Sequence, residues 1–150
     1  MLSQNAPGTP WNPPRLVLDT NAWLDLLVFR DRGIAPLESA LAAGNALVFI
    51  DQACLDELAR VLAYPLGRFT LDAAGRDAAH AECRRISKLE AREGMPESAI
   101  KRPACRDPDD QKFLELALAV RADMLITKDR ELLRLAHRTP FRILRPEKFE

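Results

Sequence analysis

The sequence predicts an α/β fold: a three-layer α/β/α sandwich around a parallel sheet of about five strands. Three observations carry that expectation. Short apolar runs at 15–19, 46–50, 124–127 and 141–144 read as strands buried on both faces. Stretches of helical period fill the intervals between them, the alternation that covers both faces of a parallel sheet. The composition, 47% hydrophobic and 29% charged over 150 residues, suits one globular domain large enough to bury a core.

Taken in order, the first 14 residues carry no Lys or Arg and hold Pro7, Pro10, Pro13 and Pro14. They read as a flexible, proline-rich arm ahead of a domain over 15–150. The run 15–19 is the first strand. Asp19, Thr20 and Asn21 are capping residue types before Trp23, Leu24, Leu26, Leu27 and Val28, so a helix follows, ended by Gly33. Pro36 suits the first turn of a second helix over 37–43, stopped by Gly44. The clearest buried strand is 46–50. Asp51 then opens a helix in which Leu55, Leu58, Ala59 and Leu62 keep a helical period. Residues 70–93, rich in Ala, Glu and Arg, predict one or two helices ending at Gly94. Pro96 and Pro103 make 95–107 irregular, with a short strand at 104–106. Residues 110–121 predict a strong helix, with Phe113, Leu114, Ala117, Leu118 and Arg121 in period. A strand at 124–127, a short helix at 130–136 and a strand at 141–144 complete the chain.

Several function classes fall away. Lys plus Arg and Asp plus Glu both total 22, so no protein-wide basic field of the kind nucleic-acid binders carry is present. The longest uncharged apolar stretch, 39–50, is far short of the roughly 20 residues of a spanning helix. Cys54, Cys83 and Cys105 are odd in number and widely spaced, which predicts packing residues in a reducing cytoplasm. The arm has the pattern of neither a signal nor a transit peptide. The six glycines are never closer than eight residues, so neither a GxGxxG nor a Walker A cradle is possible. No GxSxG elbow or HExxH helix is present. His80 and His137 fall in helical or helix-end contexts, away from strand ends.

What remains is acid. Ligands of an open parallel sheet bind beyond the carboxyl ends of its strands. Asp19 ends the first strand, Asp129 follows the 124–127 strand, Asp110 starts a helix, and Glu57 lies in the helix after 46–50. Four like charges converging on one edge repel unless a cation neutralises them. Hard divalent cations take oxygen ligands, and Mg²⁺ is usually held by a few carboxylates, waters and substrate phosphates. The chemistry implied is metal-assisted phosphoryl or phosphodiester transfer, with one or two ions. The structural alternative for each acid is a helix cap: Asp19, Asp129 and the Asp107-Pro108-Asp109-Asp110 run all suit helix N-termini. Asp51 and Asp56 are acidic neighbours of Glu57. Convergence separates the readings, since caps need not meet at one edge.

Val17-Leu18-Asp19-Thr20-Asn21, Leu55-Asp56-Glu57-Leu58, Asp107-Pro108-Asp109-Asp110 with 113–117, and Ile126-Thr127-Lys128-Asp129 with Leu132 and Leu133 resemble the PIN-domain (PilT N-terminus-like) family. They occur in its order, and the resemblance runs over about 15–149. Within that family the sequence is most similar to the branch of toxin components of toxin–antitoxin systems. It implies a ribonuclease that hydrolyses single-stranded or structured RNA with Mg²⁺ or Mn²⁺, water attacking in line with no covalent enzyme intermediate. Carried over by motif, Asp19, Glu57, Asp110 and Asp129 are the catalytic and metal-holding acids. Asn21 and Thr127 are polar helpers, and Lys128, where the branch often has glycine, alters phosphate contacts. The resemblance further implies a cognate antitoxin, a homodimer, a cytoplasmic setting and no membrane partner.

Charge is segregated: 15–75 has five basic and eight acidic residues, 107–127 two and five, 76–106 eight and five, and 128–150 seven and four. Arg84, Arg85, Lys88 and Arg92 suggest a phosphate-contacting ridge on a helix, or a solvated face laced with Glu82, Glu90 and Glu93. Two other functions stay open. One is a phosphatase with Asp19 as nucleophile, although that class wants an acid where this chain has Asn21. The other is an inactive scaffold that binds RNA or protein.

Overall fold

The computed structural model describes residues 12–91 and 108–149, without the side chains of residues 108 and 109. Five parallel strands form one sheet: β1 (Arg15–Leu18), β2 (Leu47–Asp51), β3 (Ser87–Glu90), β4 (Met124–Ile126) and β5 (Arg142–Leu144), in the order β3-β2-β1-β4-β5. Leu16 stands between Val48 and Met124, and Val17 between Phe49 and Leu125. All three of Leu16, Val17 and Leu18 are buried, as a central strand covered on both faces must be. The expected α/β architecture is present.

Among the described residues the α-helices are α1 (Thr20–Leu24), α2 (Ala35–Ala42), α3 (Gln52–Leu62), α4 (Ala73–Ile86), α5 (Pro108–Ala119) and α6 (Arg130–Leu133). Side-chain caps set several of their starts. Asp19, Asp51, Asp72 and Asp129 each accept a backbone N–H at the N-terminus of α1, α3, α4 and α6. The period noticed in 110–121 buries Phe113, Leu114 and Ala117 of α5, and α3 buries Leu55, Leu58 and Leu62. Among the described residues no helix is long and apolar enough to cross a membrane.

Four expectations need correction. The 70–93 segment is not helical to Gly94: α4 stops at Ile86 and the chain runs directly into β3, which pairs with β2. No Gly or Pro marks the change, and β3 is an edge strand with Lys88 and Leu89 exposed, so it lacks the apolar signature of its neighbours. The Arg84, Arg85 and Lys88 ridge is therefore not on one helix, and Arg85 pairs with Glu82 at 2.5 Å. Gly33 does not end the first helix. The chain passes from α1 into a π-helical turn at Asp25–Phe29 and is turned by Arg30 at φ 53°, with Gly33 inside a later 3₁₀ turn. The helix expected over 130–136 ends at Leu133, and a 3₁₀ turn follows at Ala136–Arg138. Residues 1–11 of the arm, the 104–106 strand, Arg92, Cys105 and Asp107 lie outside the described residues.

Sheet order creates the functional edge. From β1 the chain builds outward through β2 to β3 on one side, and through β4 to β5 on the other. The crevice beyond the carboxyl ends of β1 and β4 is thus the topological switch point, where such sheets bind ligands.

Candidate active site at the switch point

Asp19 follows β1 immediately. Its N–H continues the sheet by donating to the Ile126 carbonyl at 3.1 Å, which draws the β1 and β4 ends together. Its Oδ1 caps α1 by accepting from Ala22 N at 2.8 Å, and its Oδ2 accepts from the Thr127 hydroxyl. The residue is 4% exposed. Burial pushes its carboxyl up to about 6; the Thr127 and Ala22 hydrogen bonds pull it back, and Asp129 and Asp25 push it further. A carboxylate this buried, held by neutral donors and facing like charges, is under electrostatic tension that a cation would relieve.

Thr127 is fully buried just past β4. Its hydroxyl donates to Asp19 and accepts from Asp129 N at 2.9 Å, while Asp129 Oδ1 caps α6 by accepting from Glu131 N at 2.7 Å. One side chain therefore ties both strand ends. Thr127→Val keeps the shape but leaves Asp19 Oδ2 and Asp129 N without it, so urea unfolding is expected to show a loss of about 1–3 kcal/mol.

Glu57, on α3, is held from two other elements. Its Oε2 accepts from the hydroxyl of Thr20, the residue after Asp19, and its Oε1 meets Lys112 Nζ at 2.5 Å. Lys112 belongs to the first turns of α5, two residues past the half-buried Asp110. In a parallel sheet α5 returns antiparallel to the strands, so its start stands at the same carboxyl edge. Asp19, Glu57, Asp110 and Asp129 are thus delivered to one edge by four segments. Their closeness is uneven: Asp129 bears electrostatically on Asp19, and Glu57 joins through Thr20. Among the described residues, no three acidic, histidine or cysteine side chains stand close enough together to hold an ion by themselves.

The polar helpers differ in their fates. Asn21 is exposed on α1. Lys128 reaches back to the first crossover, 2.7 Å from Asp25 Oδ2 and 3.3 Å from Asp31 Oδ2. The hydrogen bond from Lys128 to Asp25 holds its ammonium above the usual range, and Gly33 N–H and Lys128 together hold Asp31 below its own. Cys54 and Cys83 are buried packing thiols, both pushed up by burial, Cys83 to about 12.

Thr20, Lys112 and Asp25 were not singled out by sequence reasoning. Asp25 had a readable signal, a charge inside the apolar run 23–28. Thr20 looked like a capping type only, and nothing local marks Lys112, whose partner is 55 residues away.

The PIN-domain family model matches residues 15–131. No curated protein matches the sequence. Among solved structures, the crystal structure of VapBC2 from Rickettsia felis bound to a DNA fragment from their promoter is similar, with a TM-score of 0.55 at 15% identity, over 87% of this chain and 96% of that one.

Proposed function

The chain belongs to the PIN-domain family, and from that membership we propose a metal-dependent endoribonuclease that hydrolyses phosphodiester bonds of single-stranded or structured RNA, acting as the toxin of a toxin–antitoxin pair in the cytoplasm. The observation that carries the reading is Asp19: a buried carboxylate at the switch point, its charge unrelieved by the Thr127 hydroxyl and Ala22 N–H that hold it. Asp129, Glu57 and Asp110 stand at the same edge as its partners in the proposed site.

The donors are all oxygen, the set a hard cation such as Mg²⁺ or Mn²⁺ takes. Among the described residues no three of them form a closed protein cage, so in this proposal an ion would be held by few carboxylates, with waters and substrate phosphate completing its shell. When bound, one or two such ions supply charge for the phosphoryl oxygens and a water acidic enough to attack at neutral pH. The chain's own residues prepare that chemistry. Thr127 fixes the Asp19 carboxylate against the Asp129 backbone, and Thr20 and Lys112 fix Glu57.

The proposal extends to a partner surface. A groove of about 480 Å³ lies between the π-helical turn, α2 and α4, lined by Leu26, Leu27, Leu41, Ala79 and Ile86. The Arg30–Glu38 and Arg85–Glu82 pairs rim it. An apolar floor with charged rims suits an amphipathic helix of an antitoxin, and homodimer formation belongs to the same proposal.

The test is cleavage of a single-stranded RNA by the purified chain. Activity with MnCl₂ that chelator abolishes and fresh MnCl₂ restores is the expected result. Cleavage that persists in chelator, or none with any divalent ion, overturns the reading.

A further inference from the structure

Asp19 and Glu57 are held in opposite ways. Neutral donors hold Asp19. Glu57 is held by a cation, with Lys112 Nζ 2.5 Å from Oε1 and both side chains about one-fifth exposed. Lys112 rises from the turn of α5 that begins with Asp110, and Thr20, on the other oxygen of Glu57, adjoins Asp19. The ammonium therefore lies within the ring of elements assigned to the metal site, on an oxygen that a divalent ion would require.

We propose that Lys112 is a resident counter-ion that competes with the divalent cation for Glu57 and so sets the metal concentration at which the site loads. The role rests on the metal-site reading above. An ammonium is a compact point charge on a flexible stem, with no fixed fork to lose when it swings away from one carboxylate oxygen. Until it does, Glu57 is neutralised and oriented in place, and α3 and α5 are joined across the acidic edge. Removing the ammonium leaves Thr20 on Oε2 and gives Oε1 of Glu57 to the metal. A merely structural pair behaves in the reverse manner, since its loss misplaces the ligand and weakens binding.

Calorimetric titration of the full chain with MnCl₂, without RNA, decides the matter. Lys112→Met is expected to bind Mn²⁺ roughly tenfold more tightly than wild type, the scale of a charge-assisted hydrogen bond, with Lys112→Arg close to wild type. In a Glu57→Gln background the same Lys112→Met change should tighten nothing. Equal or weaker binding by Lys112→Met overturns the role of Lys112 while leaving the metal site standing. Tightening that persists in the Glu57→Gln background overturns it also, by tracing the effect to the general field. If neither wild type nor Lys112→Met responds to Mn²⁺, the metal-site reading itself fails.

Discussion

Asp19→Asn and Asp129→Asn are each expected to lower Mn²⁺-dependent RNA cleavage by about 10³-fold while leaving the fold intact. Both aspartates are helix caps, and a cap alone would explain their presence. Asn caps as well as Asp does. In each variant the Oδ1 that accepts from Ala22 N or Glu131 N is retained. At position 19 the new amide can donate to Thr127 Oγ, whose second lone pair still serves Asp129 N. The substitutions thus keep geometry and remove charge. If the charge serves only the caps, rates and circular dichroism both stay at wild-type values. If it holds a metal that supplies several kcal/mol of transition-state stabilisation, each variant loses about three orders of magnitude with an unchanged spectrum. A loss smaller than about tenfold for either residue would sink its assignment.

The sheet was legible where strands are central and blurred where they are peripheral. β1, β2 and β4 are buried on both faces, so burial wrote continuous apolar runs into 16–18, 47–50 and 124–126. β3 carries Ser87, Lys88, Leu89 and Glu90 at an edge, where only one side pairs and solvent accepts polar side chains. Helical composition on its N-terminal side then captured it in the reading. Site residues divide the same way. Asp19 and Asp129 could be found because strand ends and caps are local features. The Glu57–Lys112 pair and the hold of Thr127 on Asp19 span 55 and 108 residues, and only packing brings such groups together.

Asp19 should also make the metal-free protein less stable as pH rises, and this gives a second large effect. Its carboxyl stands near 6 in the fold against an ordinary 3.8, so between those values the folded state binds the proton that the unfolded state has released. Stability from this group is complete below pH 3.8 and is lost as pH passes 6. Two pH units correspond to about 3 kcal/mol. Exposed acids such as Asp31 and Glu82, which hydrogen bonds hold below their usual values, work in the opposite direction at acid pH. The difference between wild type and Asp19→Asn isolates the term. In chelator, the variant is expected to resist urea better than wild type at pH 8, by up to about 3 kcal/mol, and the two curves should converge near pH 4. Added MnCl₂ at about a thousand times its dissociation constant should reverse the order at pH 8, because an ion that binds only the folded wild type then stabilises it by about 4.1 kcal/mol. Wild-type stability that is flat across this window, or an Asp19→Asn variant weaker than wild type in chelator at pH 8, would show that the buried charge is already neutralised within the protein. The residue that best marks the site is then the one that opposes folding until its ligand arrives.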